Sequence, residues 1–191
     1  MRLIGKLQGS CIPTSQLNFI FQSRTAWRDM STWIRAYLAS KHGGLGDTET
    51  IRNKLKELTH KYVGTFSMIF GEHVAEQYIL MLTEYMDLFD KLIDAQIQED
   101  QAAIEEYTRL LYANTDQRAA MFASLNPYWS ESEWKNLLYQ FNQKTIDQST
   151  TFHNKEFRQN VEIFDSILNL TSLIGDYFSS GMLSYLTYSG R

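Results

Sequence analysis

Glu57-Leu58-Thr59-His60 has the spacing of a metal-ligand pair in a helical bundle. On a helix, residues three apart share a face, so a Glu-x-x-His step can aim a carboxylate and an imidazole at iron or manganese. Such a centre needs a second step of this kind and carboxylates from facing helices, and the sequence has no second Glu-x-x-His. Leu58 and Tyr62 are the inward candidates of this segment, which turns Glu57 and His60 toward solvent. His42, His73 and His153 stand far apart at expected helix ends or in loops. They lack the clustered spacing of a zinc site and read as solvated or capping residues. Cys11 falls in an N-terminal arm, where a Cys–His pair has little to hold it. No glycine-rich dinucleotide loop, P-loop or nucleophile elbow is present.

Two polar residues inside an apolar stripe carry more chemistry. Asn114 and Arg118 lie one turn apart between Leu111 and Met121. A buried arginine without a partner is costly, so Arg118 demands an explanation. The ordinary one is that its side chain snorkels to the bundle edge. The sharper one is a small internal polar pocket, with Arg118 positioned to hold a carboxylate.

The elements that must position these groups are helices. No proline occurs between Pro13 and Pro127 or after it, and proline costs about 3 kcal/mol inside a helix. Apolar residues recur at spacings of three and four in six stretches. The first runs over about 14–40, with Leu17, Ile20, Phe21, Trp27, Met30, Ile34 and Leu38 inward. After Gly43-Gly44-Leu45-Gly46, Asp47 or Thr48 caps the second, with Ile51, Leu55, Leu58, Tyr62 and Phe66 inward. Phe70-Gly71 stops or kinks it. The third, about 72–96, has a seam of Val74, Tyr78, Met81, Tyr85, Leu88 and Leu92. The fourth, about 99–125, ends before Asn126-Pro127, because a residue preceding proline leaves helical geometry. Ser130 and Glu133 form a capping box, flanked by Trp129 and Trp134 at the staple positions. The last helix follows His153-Asn154 and carries Phe157, Val161, Phe164, Leu168, Ile174, Phe178 and Met182. The expected fold is all-α: an up-and-down, four-helix-type bundle built from about six helical segments, with 1–13 as an arm and 14–191 as one domain.

Composition sets limits on the function. The chain has 191 residues, 43% of them hydrophobic and 14% aromatic, which is too apolar for disorder. The net charge of −4 comes without a basic block, against a nucleic-acid binder. No segment approaches the ~20 apolar residues of a membrane span, and the apolar start of the chain is too short for a signal peptide. A single cysteine fits a reducing compartment. The expected location is therefore cytoplasmic.

Leu111-Tyr112-Ala113-Asn114-Thr115-Asp116, followed by Ser124-Leu125-Asn126-Pro127-Tyr128-Trp129, resembles the signature of a family of uncharacterised bacterial helical-bundle proteins. Its members carry a tryptophan-tyrosine-x-asparagine helix that ends in an asparagine-proline-x-tryptophan turn. Trp27-Arg28-Asp29-Met30-Ser31-Thr32-Trp33-Ile34-Arg35 is similar to the family's first helix, and Phe70-Gly71 to its tyrosine-glycine break. The resemblance spans about 24–185. It implies that inward histidines and a carboxylate hold a transition metal in the core of family members, and that this chain has exchanged them. Asp29-Met30 and Glu84-Tyr85 stand where the family has glutamate-histidine pairs. Phe141 replaces a histidine, Gln148 a glutamate, and Arg118 an aliphatic residue.

The leading expectation is a non-enzymatic or degenerate binding protein without cofactor, forming a homodimer through its aromatic faces and taking an unknown protein or a small apolar ligand. The alternatives are a metal-binding bundle with an altered site near Asp29, Glu84 and Asn114, and a small-molecule pocket between the helices. Candidate pocket residues are Trp27, Met30, Tyr85, Asn114, Arg118, Phe141 and Gln148.

Overall fold

The computed structural model describes residues 13–188; Cys11 lies outside the described residues. Six helices follow one another: α1 (Thr14–Gly43), α2 (Thr48–Phe70), α3 (Glu72–Ile97), α4 (Gln101–Leu125), α5 (Glu131–His153) and α6 (Phe157–Tyr188). No strand occurs among the described residues, so the fold is all-α. None of these helices is long and apolar enough to cross a membrane.

Each helix packs on the next, α6 returns along α1, and α5 also touches α1 and α3. The Phe70-Gly71 break is a reversal of the chain. Phe66 meets Tyr78 with ring centroids 5.5 Å apart, and Arg52 reaches Asp87 at 2.5 Å, so α2 and α3 are antiparallel neighbours rather than two halves of one rod. Gly71 makes the turn with φ 89° and ψ 162°, a region essentially closed to residues with a Cβ. The residues in sequence between the two helices are thus reduced to a single glycine.

The core follows the expected stripes through most of the chain. Leu38, Leu55, Leu92, Leu111, Trp134 and Ile174 are buried, each worth roughly 1.5–3 kcal/mol relative to exposure. Trp129 and Trp134 pack edge to face at 5.5 Å around the start of α5. The capping box is only half made. Ser130 Oγ accepts from the Glu133 amide at 3.4 Å, but the Ser130 amide donates to the Tyr177 hydroxyl at 2.7 Å, so α6 takes the place expected for the Glu133 carboxylate.

Two stretches depart from the expected faces. Phe157 and Val161 are 61% and 51% exposed. The buried stripe of α6 instead runs through Asn160, Ile167, Leu170, Thr171 and Ile174. Asn160 fixes this phase, because its amide donates at 3.0 Å to both the Gln148 carbonyl and the Thr151 hydroxyl. In the first turns of α1, Leu17 and Phe21 are 36% and 59% exposed rather than inward. Phe21 lies instead on the rim of a cavity. Further along, α1 approaches α6 closely at Gly175, where an added Cβ would sit 2.8 Å from the Arg24 backbone.

Candidate functional site

The cavity has a volume of about 650 Å³, inside the ~300–1,000 Å³ range of small-molecule sites. It lies among the first half of α1, the second half of α2 and the first half of α3, with α4, α5 and α6 contributing Arg118, Phe122, Phe141 and Phe178. Its exposed residues, Asn18, Phe21, Gln22, Thr25 and Lys61, belong to α1 and α2, which places the mouth between those two helices. The walls are aromatic. Trp27 and Phe141 meet edge to face at 6.3 Å, and Phe122 reaches Tyr78 at 5.0 Å. At the mouth the Tyr62 hydroxyl donates to the Asp29 carboxylate, and Lys61 Nζ lies 5.0 Å from the Tyr62 ring. Burial and this hydrogen bond to Asp29 push the Tyr62 phenol up to about 12.

Arg118 is the charged group of the inner wall, and it is 4% exposed. It does not snorkel, because α4 places it in the middle of the buried Leu111–Phe122 stripe. Its Nη2 donates to Thr115 Oγ1 at 3.0 Å, and its guanidinium lies 4.5 Å over the Tyr85 ring. Its Nε has no partner, and no carboxylate lies within salt-bridge distance among the described residues. Two acidic residues close in sequence to Tyr85 and Arg118 are engaged elsewhere. Glu84 accepts from Asn114 at 2.9 Å, and Asp116 accepts from Tyr139 at 2.7 Å and from Lys135 at 3.3 Å.

A chain of hydrogen bonds holds the guanidinium in place. Tyr85 donates to Asn142 Oδ1 at 3.0 Å, Asn142 donates to Thr115 Oγ1 at 2.8 Å, and Thr115 donates to the Leu111 carbonyl at 3.0 Å. Thr115 therefore uses its one donor and accepts twice, which fills its capacity. Tyr78 and Tyr85 do not supply negative charge. Burial raises both phenols against the opposing charge of Arg118, Tyr85 to about 12. The inner end of the cavity thus carries one positive charge, with the Tyr78 hydroxyl beside it and its Nε without a partner.

Of the residues singled out in the sequence, Trp27, Met30, Tyr85, Arg118 and Phe141 line the cavity together, and Asp29 joins them at the mouth. Asn114 is buried beside them but spends its amide on the Met81 carbonyl and Glu84. Gln148 is buried against α6, where its carbonyl accepts from Asn160, and it is not part of the cavity wall. Glu84 faces α4 and is not brought to Asp29. No group of three His, Cys, Asp or Glu side chains suited to a metal occurs among the described residues; Glu57 and His60 are exposed, as the pattern implied. His42 is not a solvated histidine. It bonds Ser149 Oγ through Nε2 at 2.9 Å, lies 6.2 Å from the His153 ring, and burial with the charges of His153 and Lys41 lowers it to about 4.

Sequence reasoning missed Tyr78, Thr115 and Asn142 as parts of the site. The available signal was polar: Asn142, Thr145, Gln148 and Ser149 recur at helical spacing along the buried face of α5. No family model matches the chain, and no curated protein or solved structure matches it. The resemblance of the Leu111–Asp116 and Ser124–Trp129 segments to a bundle family rests on those residues alone.

Proposed function

We propose that this protein binds a small, largely apolar molecule in the cavity between α1, α2 and α3, and that it acts by binding rather than by catalysis. The observation that carries this reading is the cavity itself, about 650 Å³, walled largely by aromatic and aliphatic side chains and open between α1 and α2. Protein interiors are packed about as densely as organic crystals, and voids larger than a water molecule are few. An aromatic wall of this extent offers a ligand many dispersion contacts. The pairing of one wet rim with an apolar body suits a molecule that enters lengthwise.

The test is titration with N-phenyl-1-naphthylamine, a neutral apolar fluorophore, on the native protein and on Ala26→Phe, which places a ring in the cavity wall. Saturable binding of one probe per chain that A26F abolishes is the expected result. Binding that A26F leaves unchanged, or no saturable binding at all, would overturn the reading.

A further inference from the structure

Resting on the cavity being a binding site, we infer that its ligand is a monocarboxylate with an apolar body, whose carboxylate is seated on Arg118 at the inner end. The cavity wall contains a cation that is 4% exposed and has no acidic partner among the described residues. Arginine carries five N–H donors in a planar fork that matches a carboxylate in bidentate fashion. Here Thr115 occupies one of them at 3.0 Å, the Tyr78 hydroxyl lies against the guanidinium as a neutral partner, and Nε is left without a partner. Removing one member of a buried ion pair is strongly destabilising because the other is stranded. Arg118 has the chemistry of one member of such a pair, and a carboxylate would complete it.

The charge count selects the class of anion. Arg118 is the sole formal charge on the inner wall, and Lys61 and Asp29 offset each other at the mouth. A single negative charge is neutralised by this site, whereas a phosphate dianion would leave excess charge in an aromatic enclosure. The site is also preorganised. The chain from Tyr85 through Asn142 to Thr115 fixes the guanidinium, which also rests 4.5 Å over the Tyr85 ring. Binding then costs little reordering of the protein.

The experiment compares decanoate, methyl decanoate and decanol by calorimetric titration of the native protein. A hydrogen bond to a charged group contributes about 1.5–3 kcal/mol, so decanoate should bind roughly 10- to 100-fold more tightly than the ester or the alcohol. Arg118→Met should remove that preference while keeping the ester bound. Thr115→Val, which releases the guanidinium without removing its charge, should reduce it. Equal binding of all three molecules to the native protein would overturn the carboxylate seat and leave the apolar cavity standing. Binding of none would remove the cavity reading and the seat with it. The comparison in the native protein decides the matter even if R118M fails to fold.

Discussion

Around Asp90, Tyr37 and Lys41 from α1 and Arg52 from α2 converge on one carboxylate. Around Arg118, a more deeply buried cation meets a hydroxyl and the face of a phenol. Both groups sit in the same ring of helices, and the difference lies in what faces them. Burial would push the Asp90 carboxyl up, but the hydrogen bonds from Lys41 and Tyr37 and the charges of Lys41 and Arg52 outweigh it and hold it below its ordinary value. That end is electrostatically closed, and it joins α1, α2 and α3 near the α1–α2 turn. The Arg118 end differs, since no carboxylate among the described residues pairs with the guanidinium. A chain that pairs one buried charge so fully has no general difficulty in placing acidic residues. The isolation of Arg118 therefore belongs with the cavity beside it.

The largest effect should come from breaking the closed end. Asp90→Ala strands Lys41 and Arg52 and should cost about 3 kcal/mol, toward the low end for removing one partner of a buried pair because these side chains are partly solvated. Urea unfolding of the variant measures it, and a loss under about 1 kcal/mol would show that the cluster is a surface network. Next in size is a pH effect beside the same cluster. His42 is lowered from 6.5 to about 4, chiefly by burial, so the unfolded chain takes up a proton there before the folded one does. Stability contributed by the neutral imidazole is present above pH 6.5 and lost as the pH falls toward 4, on the order of 2–3 kcal/mol. His42→Gln should flatten that slope in unfolding curves measured across this range. At the Arg118 end the sign reverses. Arg118→Met should raise stability by about 1–2 kcal/mol, since burying a charge without an ionic partner carries a desolvation cost that an apolar side chain of similar size does not. The smallest change sets the scale for all three: Ser130→Ala removes the α5 cap and should cost about 1 kcal/mol in the same assay.

Helix positions were legible in the sequence because proline is absent and apolar spacing is regular, and the boundaries at Gly71, Ser130 and Pro127 are marked by residues with one local use. The faces were legible where the stripe is apolar, as along α3. They were misread where a polar residue is buried, since Asn160 and Thr171 anchor the inner face of α6 while Phe157 and Val161 face outward. The same limit applied to the site. Arg118 stood out as a charge in an apolar stripe, and the aromatic residues Trp27, Tyr85 and Phe141 could be grouped with it. The hydrogen bonds that orient it were only partly legible: Thr115 stands three residues before Arg118 on the same helix, but Asn142 and Tyr85 come from other helices whose relative rotation no local pattern specifies. Gln148 followed the same stripe logic and yet lies elsewhere, bonded to α6.

The most direct test measures unfolding free energies of the native protein and Arg118→Met, each with and without saturating decanoate. A ligand that binds only the folded state raises stability with its concentration, by about 2.7 kcal/mol at one hundred times its Kd. The account predicts that R118M is the more stable of the two without decanoate and gains far less from it than the native protein does. If R118M is less stable without ligand and responds to decanoate as the native protein does, Arg118 is a structural residue and its end of the cavity is not a carboxylate site.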